Sequence, residues 1–277
     1  MKIFVSDLDG TLIDDAIKSD EAVGQCVENV LKTKNEFVVA TGRTHYGVRC
    51  LDFYKQPIYF IIMNGAIILD RDKQVIYKQV IDPKIVDMFL ENFSNDNVEY
   101  ITEEKTYVRL SREEYINRYS QWNIWRKKML QSKDPEHMKY MLSHFEFNAD
   151  IQKIKNQVVK INILELDPQK YSVKEKKISS CKNIKNNPFA EGVFELTAKD
   201  ISKKTAILKL VEMSCWNPND IFVFGDGDND SEMLDHFEHS FAPSNASKKA
   251  KENAKHVIGP CSEKSVISVI KEIMSLL

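Results

Sequence analysis

Lys2-Ile3-Phe4-Val5-Ser6-Asp7-Leu8-Asp9-Gly10-Thr11 is the stretch that decides the fold. A short apolar strand runs straight into two aspartates set two apart, and then into a glycine. Residues two apart on a strand share a face, so both carboxylates can aim at one point where the strand ends. Gly10 admits a sharp turn that a side chain would oppose. Two carboxylates with no cation beside them in sequence are costly unless a metal or a substrate offsets their charge. A capped turn after an edge strand would use the same residues, so these ten residues alone leave a structural turn and a chemical site both open.

Working outward, Ser19-Asp20-Glu21 reads as a helix start, with a capping hydroxyl and acids in the first turn. Val23, Cys26, Val27, Val30 and Leu31 follow at helical spacing, and Lys34-Asn35 closes the helix, the asparagine being suited to a left-handed end. Phe37-Val38-Val39-Ala40 is all apolar, as a parallel strand covered on both faces should be, and it delivers Thr41-Gly42-Arg43. The run Ile58 to Met63 ends in Asn64-Gly65-Ala66. This alternation predicts a doubly wound α/β core, whose ligands bind beyond the carboxyl ends of the strands.

The pattern changes near Ile81-Asp82-Pro83. Ile85, Met88, Phe89 and Phe93 predict an amphipathic helix, Val98 to Val108 a strand, and Val158 to Leu164 another. Tyr115, Tyr119, Trp122 and Met129 fall at helical spacing in an aromatic and basic stretch. The lysine-rich segment Lys174 to Asn187 is expected to lead back out, with the core resuming near Phe189. Ser202-Lys203 then opens a helix bearing Ala206, Ile207, Leu210 and Val211 on one face. Ile221-Phe222-Val223-Phe224 is a buried strand ending in the acidic loop Gly225-Asp226-Gly227-Asp228-Asn229-Asp230. A last helix is expected over Ser265 to Leu277.

A chain of 277 residues can bury two cores. A net charge of −2 gives no general drive toward nucleic acid or anionic membrane. Cys26, Cys50, Cys181, Cys215 and Cys261 are scattered and form no Cys-x-x-Cys pair, which argues against zinc and for a reducing compartment. No signal peptide is expected, because Asp7 comes before any long apolar run. The densest apolar run is too short to cross a bilayer. Together these features predict a cytoplasmic enzyme.

The opening decapeptide resembles the Asp-x-Asp-Gly-Thr signature of the haloacid dehalogenase (HAD) superfamily. Thr41-Gly42-Arg43, Asn64-Gly65-Ala66, Ser202-Lys203 and Gly225 to Asp230 resemble its other signatures, in order. The chain is most similar to the Cof-type branch, in which a large cap is inserted in the core. The resemblance implies a doubly wound, Rossmann-like parallel-sheet core over 1–81 and 189–277, and an α+β cap over 82–188 that selects the substrate. In that scheme Phe194-Glu195-Leu196-Thr197 returns the chain to the core.

The resemblance also implies a reaction. Asp7 would attack phosphorus to form an aspartyl-phosphate, and Asp9 would act as acid and then base. Mg²⁺ would be held by the Asp7 carboxylate, the Asp9 backbone carbonyl and Asp226, with Asp230 behind them orienting a bound water or Lys203. Lys203 would balance the nucleophile. The Thr41 hydroxyl, the Gly42 and Leu8 N–H groups and the Asn229 amide would hold the other phosphoryl oxygens. The implied partner is a small phosphate ester, such as a sugar phosphate, with no nucleic acid and no membrane; the number of copies is left open. A phosphosugar mutase or a silent phosphosugar-binding regulator of the same fold are the alternatives.

Some residues depart from the pattern or carry a second meaning. Lys204 and Asp200 stand where the family usually has glycine, so either lysine of the pair could face the site. Pro243-Ser244 replaces a usual Met-Gly before Asn245-Ala246. Arg43 suits a clamp on its loop or a substrate contact equally. The alternating acids Asp226, Asp228 and Asp230 do not make an EF-hand, since Ser231 and Phe237 stand where its glycine and bidentate glutamate belong. His236 and His239 read as surface or packing residues. Trp122, Trp125 and Arg126-Lys127-Lys128 read as cap core with a solvated face rather than a nucleic-acid surface.

Overall fold

The N-terminal apolar run folds as a central strand, and the rest of its sheet assembles around it. The structure is a computed structural model that describes residues 1–14, 21–94, 96–118, 135–188 and 192–275. Before the second half of the chain come β1 (Ile3–Ser6), β2 (Glu36–Ala40), β3 (Tyr59–Ile62), β4 (Ile67–Leu69) and β5 (Val75–Lys78). Then follow β6 (Asn97–Ile101), β7 (Thr106–Tyr107), β8 (Phe145–Glu146), β9 (Lys160–Leu164), β10 (Ile184–Asn186) and β11 (Val193–Ala198). The last are β12 (Ile221–Phe224), β13 (His239–Pro243) and β14 (His256–Ile258). The chain divides into two compact units, Met1–Lys78 with Ser202–Leu277, and Gln79–Ile201.

The first unit holds one sheet in the order β14-β13-β12-β1-β2-β3-β4-β5. From β14 to β3 every pairing is parallel. A parallel sheet needs apolar residues on both faces, and both are present. Ile3, Val5, Val38, Ala40 and Ile61 pack with Ala206, Ile207, Leu210 and Val211 of the helix Lys203–Ser214. Phe4, Phe37, Val39 and Phe60 alternate onto the opposite face and are also fully buried. The helix Glu21–Lys32 buries Val23, Cys26, Val27 and Val30, as its spacing predicts. This α/β core is the expected architecture, with one addition: β4 and β5 form an antiparallel hairpin at the edge. Its turn is closed by Asp70 Oδ1, which accepts the N–H groups of Asp72 and Gln74.

The second unit is α+β. Its sheet runs β10-β11-β9-β6-β7-β8, antiparallel except for β7 with β8. Val98, Tyr100, Ile161, Ile163, Phe194 and Leu196 point to one face. There they pack with Ile85, Val86 and Phe89 of the helix Pro83–Asn92 and with Ile178 of Pro168–Ser179. By alternation Glu99, Lys160, Asn162, Glu195 and Thr197 share the other face, with Glu99, Asn162 and Glu195 in register.

Several expectations are corrected. Phe194–Thr197 does not return the chain to the first sheet; it lies in β11, between β9 and β10, because Phe194 and Leu196 complete the second core. The units therefore divide at 78/79 and 201/202 rather than at 81/82 and 188/189. Lys174 to Asn187 is no exit segment: it supplies the second half of the helix Pro168–Ser179 and all of β10, and buried Lys174 pairs with Asp96 and Glu165. The single strand expected over Val98 to Val108 is a hairpin, β6 and β7, folded at 102–105. Lys34, not Asn35, takes the left-handed conformation (φ 58°), while Asn35 Oδ1 accepts the Lys2 N–H. Ser19, Asp20, Tyr119, Trp122, Trp125, Arg126-Lys127-Lys128, Met129 and Phe189 lie outside the described residues. Among the described residues no helix is long and apolar enough to cross a membrane.

Candidate active site

Because β12, β1, β2 and β3 are parallel neighbours, their carboxyl ends open on one edge of the sheet. Asp7, Thr41, Asn64 and Asp226 all leave that edge. Asp7 follows β1 directly, its N–H donating to the Phe224 carbonyl at 2.8 Å. Gly10 has φ +83°, and a Cβ there would overlap the Asp226 carboxylate, so only glycine lets this turn pass so close to the acidic loop.

Lys203 is brought in by the start of the helix Lys203–Ser214. Ser202 caps that helix in a capping box with Thr205. Gly65, at φ +107°, lies so close that a Cβ would overlap the Ser202 carbonyl oxygen. Lys203 Nζ donates to Asp7 Oδ1 at 2.5 Å and to Asp230 Oδ1 at 2.7 Å. Lys203 is 1% exposed, whereas Lys204 is half-buried, so Lys203 is the lysine that reaches the acids.

The Asp230 carboxylate is fully engaged. Its Oδ2 accepts the N–H groups of Asp226 and Gly227 at 3.0 and 2.9 Å, and its Oδ1 faces Lys203. Asp226 Oδ1 accepts the Thr11 hydroxyl at 2.6 Å. Asp7, Asp226 and Asp230 offer oxygens within 4.8 Å of one another.

The electrostatics follow from three acids and one ammonium. Burial pushes the Asp7 carboxyl up to about 6; Asp230 adds to the push and Lys203 opposes it. Burial, and then the Asp7 charge, push Asp226 up to about 7. Burial also raises Asp230, against the pull of Lys203. For Lys203, burial works against the charge, but Asp230 and Asp7 outweigh it and hold the ammonium charged. The cluster thus carries more acid than base. Carboxylate oxygens gathered this closely are a fitting place for a hard divalent cation, which takes oxygen donors. Asp7 and Asp226 have the freedom to serve as ligands, while Asp230 is already spent on Lys203 and two N–H groups.

The other expected residues are placed as follows. Leu8 and Gly42 lie on the loops after β1 and β2, and Leu8 is buried. The buried Thr41 hydroxyl accepts the Arg43 N–H at 3.2 Å. The Asn229 amide donates to Asn64 Oδ1 at 3.0 Å. Asp9 is turned to Arg43, whose Nε and Nη2 donate to its two oxygens at 2.9 and 2.6 Å. His236 is exposed and His239 stacks on Phe222, as their surface and packing reading predicts.

Sequence reasoning missed Thr11, Asn64, Asn245 and Ser247. Asn64 stands at φ 57° and its N–H donates to the Thr41 carbonyl. Asn245 ties the Gly10 carbonyl to the Cys261 N–H at 2.9 and 2.8 Å. Ser247 donates its N–H to the Asp226 carbonyl and its hydroxyl to Asp228. Thr11, Asn64 and Asn245 were each inside a quoted motif, but nothing in the sequence names their partners.

A family model for haloacid dehalogenase-like hydrolases matches residues 4–270. The chain is 24% identical over 266 residues to a phosphatase-family protein of Mycoplasma genitalium, covering 93% of this chain and 92% of that one. It is also 24% identical to the 5-amino-6-(5-phospho-D-ribitylamino)uracil phosphatase YwtE of Bacillus subtilis, over 99% of each chain. Among solved structures, a haloacid dehalogenase-like hydrolase of B. subtilis superposes with a TM-score of 0.82 at 22% identity, over 98% of this chain and 99% of that one.

Proposed function

We propose that this chain, which belongs to the haloacid dehalogenase-like hydrolase family and is a phosphatase, is a Mg²⁺-dependent enzyme that releases phosphate from a small phosphate monoester of the sugar-phosphate kind through an aspartyl-phosphate. The observation that carries this is the Asp7 carboxylate at the end of β1, held by Lys203 at 2.5 Å and beside Asp226. Asp7, Asp226 and the Asp9 backbone carbonyl would hold the Mg²⁺. When bound, it would supply the positive charge that lets an anionic phosphate enter a pocket of carboxylates.

In the first half-reaction an Asp7 oxygen attacks phosphorus while the bond to the leaving oxygen breaks, and Asp9 gives that oxygen a proton. In the second, Asp9 takes a proton from water, the water oxygen bonds to phosphorus and the Asp7 ester opens. Lys203 opposes the charge that builds on Asp7 and the phosphoryl oxygens, held in place by Asp230. The Thr41 hydroxyl, the Asn229 amide and the N–H groups of Leu8 and Gly42 take the remaining oxygens. The second unit, inserted in sequence between the two halves of the first, serves to select the ester. The five cysteines are free thiols, which suits a cytoplasmic location.

The test is phosphate release from a panel of sugar phosphates, nucleotides and p-nitrophenyl phosphate, with Mg²⁺ and with EDTA, by wild type and Asp7→Asn. Release that needs Mg²⁺ and vanishes in Asp7→Asn is the expected result. Near-normal turnover by Asp7→Asn would refute the mechanism. Interconverted phosphate isomers without free phosphate would make the enzyme a mutase.

A further inference from the structure

The mechanism above leaves Arg43 without a task, yet its guanidinium is only 13% exposed and held on three sides. Two of its nitrogens grip the two Asp9 oxygens, and Nη1 donates to the Gly47 carbonyl at 3.3 Å. Its main chain is fixed separately, the N–H on the Thr41 hydroxyl and the carbonyl on the Met63 N–H. Any residue but proline could make those two main-chain bonds. The side chain reaches 34 positions back along the chain to a different loop.

Asp9 needs such a hold more than Asp7 does. Its side chain is 39% exposed against 9% for Asp7, and it sits just before the Gly10 turn. Among the described residues, the hydrogen bonds to its carboxylate come from Arg43. A guanidinium fork sets a carboxylate's direction as well as its distance, which an ammonium does not.

We propose that Arg43 is a positioning residue that sets Asp9 for its proton transfers; this rests on Asp9 being the acid and base of the phosphatase reaction. In the first half-reaction the Asp9 proton goes to the leaving oxygen as its bond to phosphorus breaks. The fork holds the Asp9 oxygens by their lone pairs, which a carboxyl keeps when it carries a proton, so the same grip aims the acid in this step and the carboxylate after it. The carboxylate is kept there, aimed, until water gives up a proton to it and the Asp7 ester opens. The clamp therefore matters in proportion to how badly the leaving group needs a proton.

The experiment compares kcat/KM for a primary alkyl phosphate that the wild type hydrolyses with that for p-nitrophenyl phosphate, whose leaving group departs without one. Arg43→Lys keeps the charge and loses the fork; Arg43→Gln loses both; thermal melts report whether each variant is folded. General acid catalysis is worth about 10²- to 10⁴-fold. Both variants should therefore lose about tenfold or more on the alkyl ester while p-nitrophenyl phosphate turnover falls by much less. In an Asp9→Asn background the same substitutions should cost the alkyl ester nothing further. Equal losses on both esters, additive with Asp9→Asn, would overturn the proposal and leave Arg43 as a loop support. If Asp9→Asn itself failed to distinguish the two esters, the role given to Asp9 would fall, and the proposal with it.

Discussion

Lys203 in the first unit and Lys160 in the second are both almost wholly buried, 1% and 3% exposed. What surrounds them separates a chemical site from a structural pair. Lys203 meets Asp7 and Asp230, with Asp226 close by. That excess of acid holds its ammonium charged, and burial first, then the neighbouring acids, push Asp7 and Asp226 up. Lys160 pairs with buried Glu195 on the polar face of an otherwise apolar-cored sheet. Burial pushes its ammonium down to about 7, against the pull of Glu99. A buried lysine is therefore not in itself a mark of catalysis. The mark is a cluster of three carboxylates beside it whose oxygens lie within 4.8 Å of one another, which is tolerable only where a cation or an anionic substrate comes and goes.

The comparison breaks most readily on activity. Lys203→Met should lower turnover of p-nitrophenyl phosphate by about 10³-fold, the scale of a lost charge stabiliser in an active site. Lys160→Met should leave turnover per folded molecule unchanged. Steady-state rates normalised to the folded fraction would check both. A comparable loss in the two variants would mean that the second unit's pair takes part in the chemistry.

Stability should sort the two lysines the other way. Lys160→Met leaves Glu195 buried without its ammonium, which costs about 3 kcal/mol, whereas replacing both partners with apolar residues is close to neutral. Urea melts of Lys160→Met and of Lys160→Met with Glu195→Leu should show the double variant recovering most of the loss. If the single variant is as stable as wild type, the pair contributes no structure and the contrast loses its second term.

The same contrast explains what could be read from the sequence. The acids of the site lie in short local patterns, Asp7 to Thr11 and Asp226 to Asp230, so their spacing announces them. Their partners do not. Arg43 and Asp9 are separated by 34 positions, Asn229 and Asn64 by 165, and Thr11 and Asp226 by 215; only the parallel sheet brings them to one edge. The misplaced strand has a similar cause. Phe194-Glu195-Leu196-Thr197 alternates apolar and polar, a pattern that names a half-polar strand but not its sheet. Buried Glu195 was the available clue: the fully apolar strands Phe37–Ala40 and Ile221–Phe224 belong to the sheet covered on both faces, and an alternating one to a sheet with one polar face.

The smallest expected effect tests the acid surplus itself. In the folded protein without metal, the Asp7 and Asp226 carboxyls sit at about 6 and about 7, against an ordinary value of 3.8. Between those limits these two groups bind more protons in the native state than in the unfolded one, so their contribution to stability falls as pH rises through the window from 3.8 to about 7. A divalent cation bound between the two carboxylates removes the need for the proton. Mg²⁺ should thus raise the melting temperature more at pH 8 than at pH 5, by a few degrees, and EDTA should restore the slope. Asp7→Asn should flatten much of that slope, because it removes one raised carboxyl and relieves Asp226, and Lys160→Met should leave it in place. If Asp7→Asn in EDTA kept the wild-type pH slope through this window, Lys203 would already balance its acids. Lys203 would then be a structural pair like Lys160, and the surplus that argues for a metal would be gone.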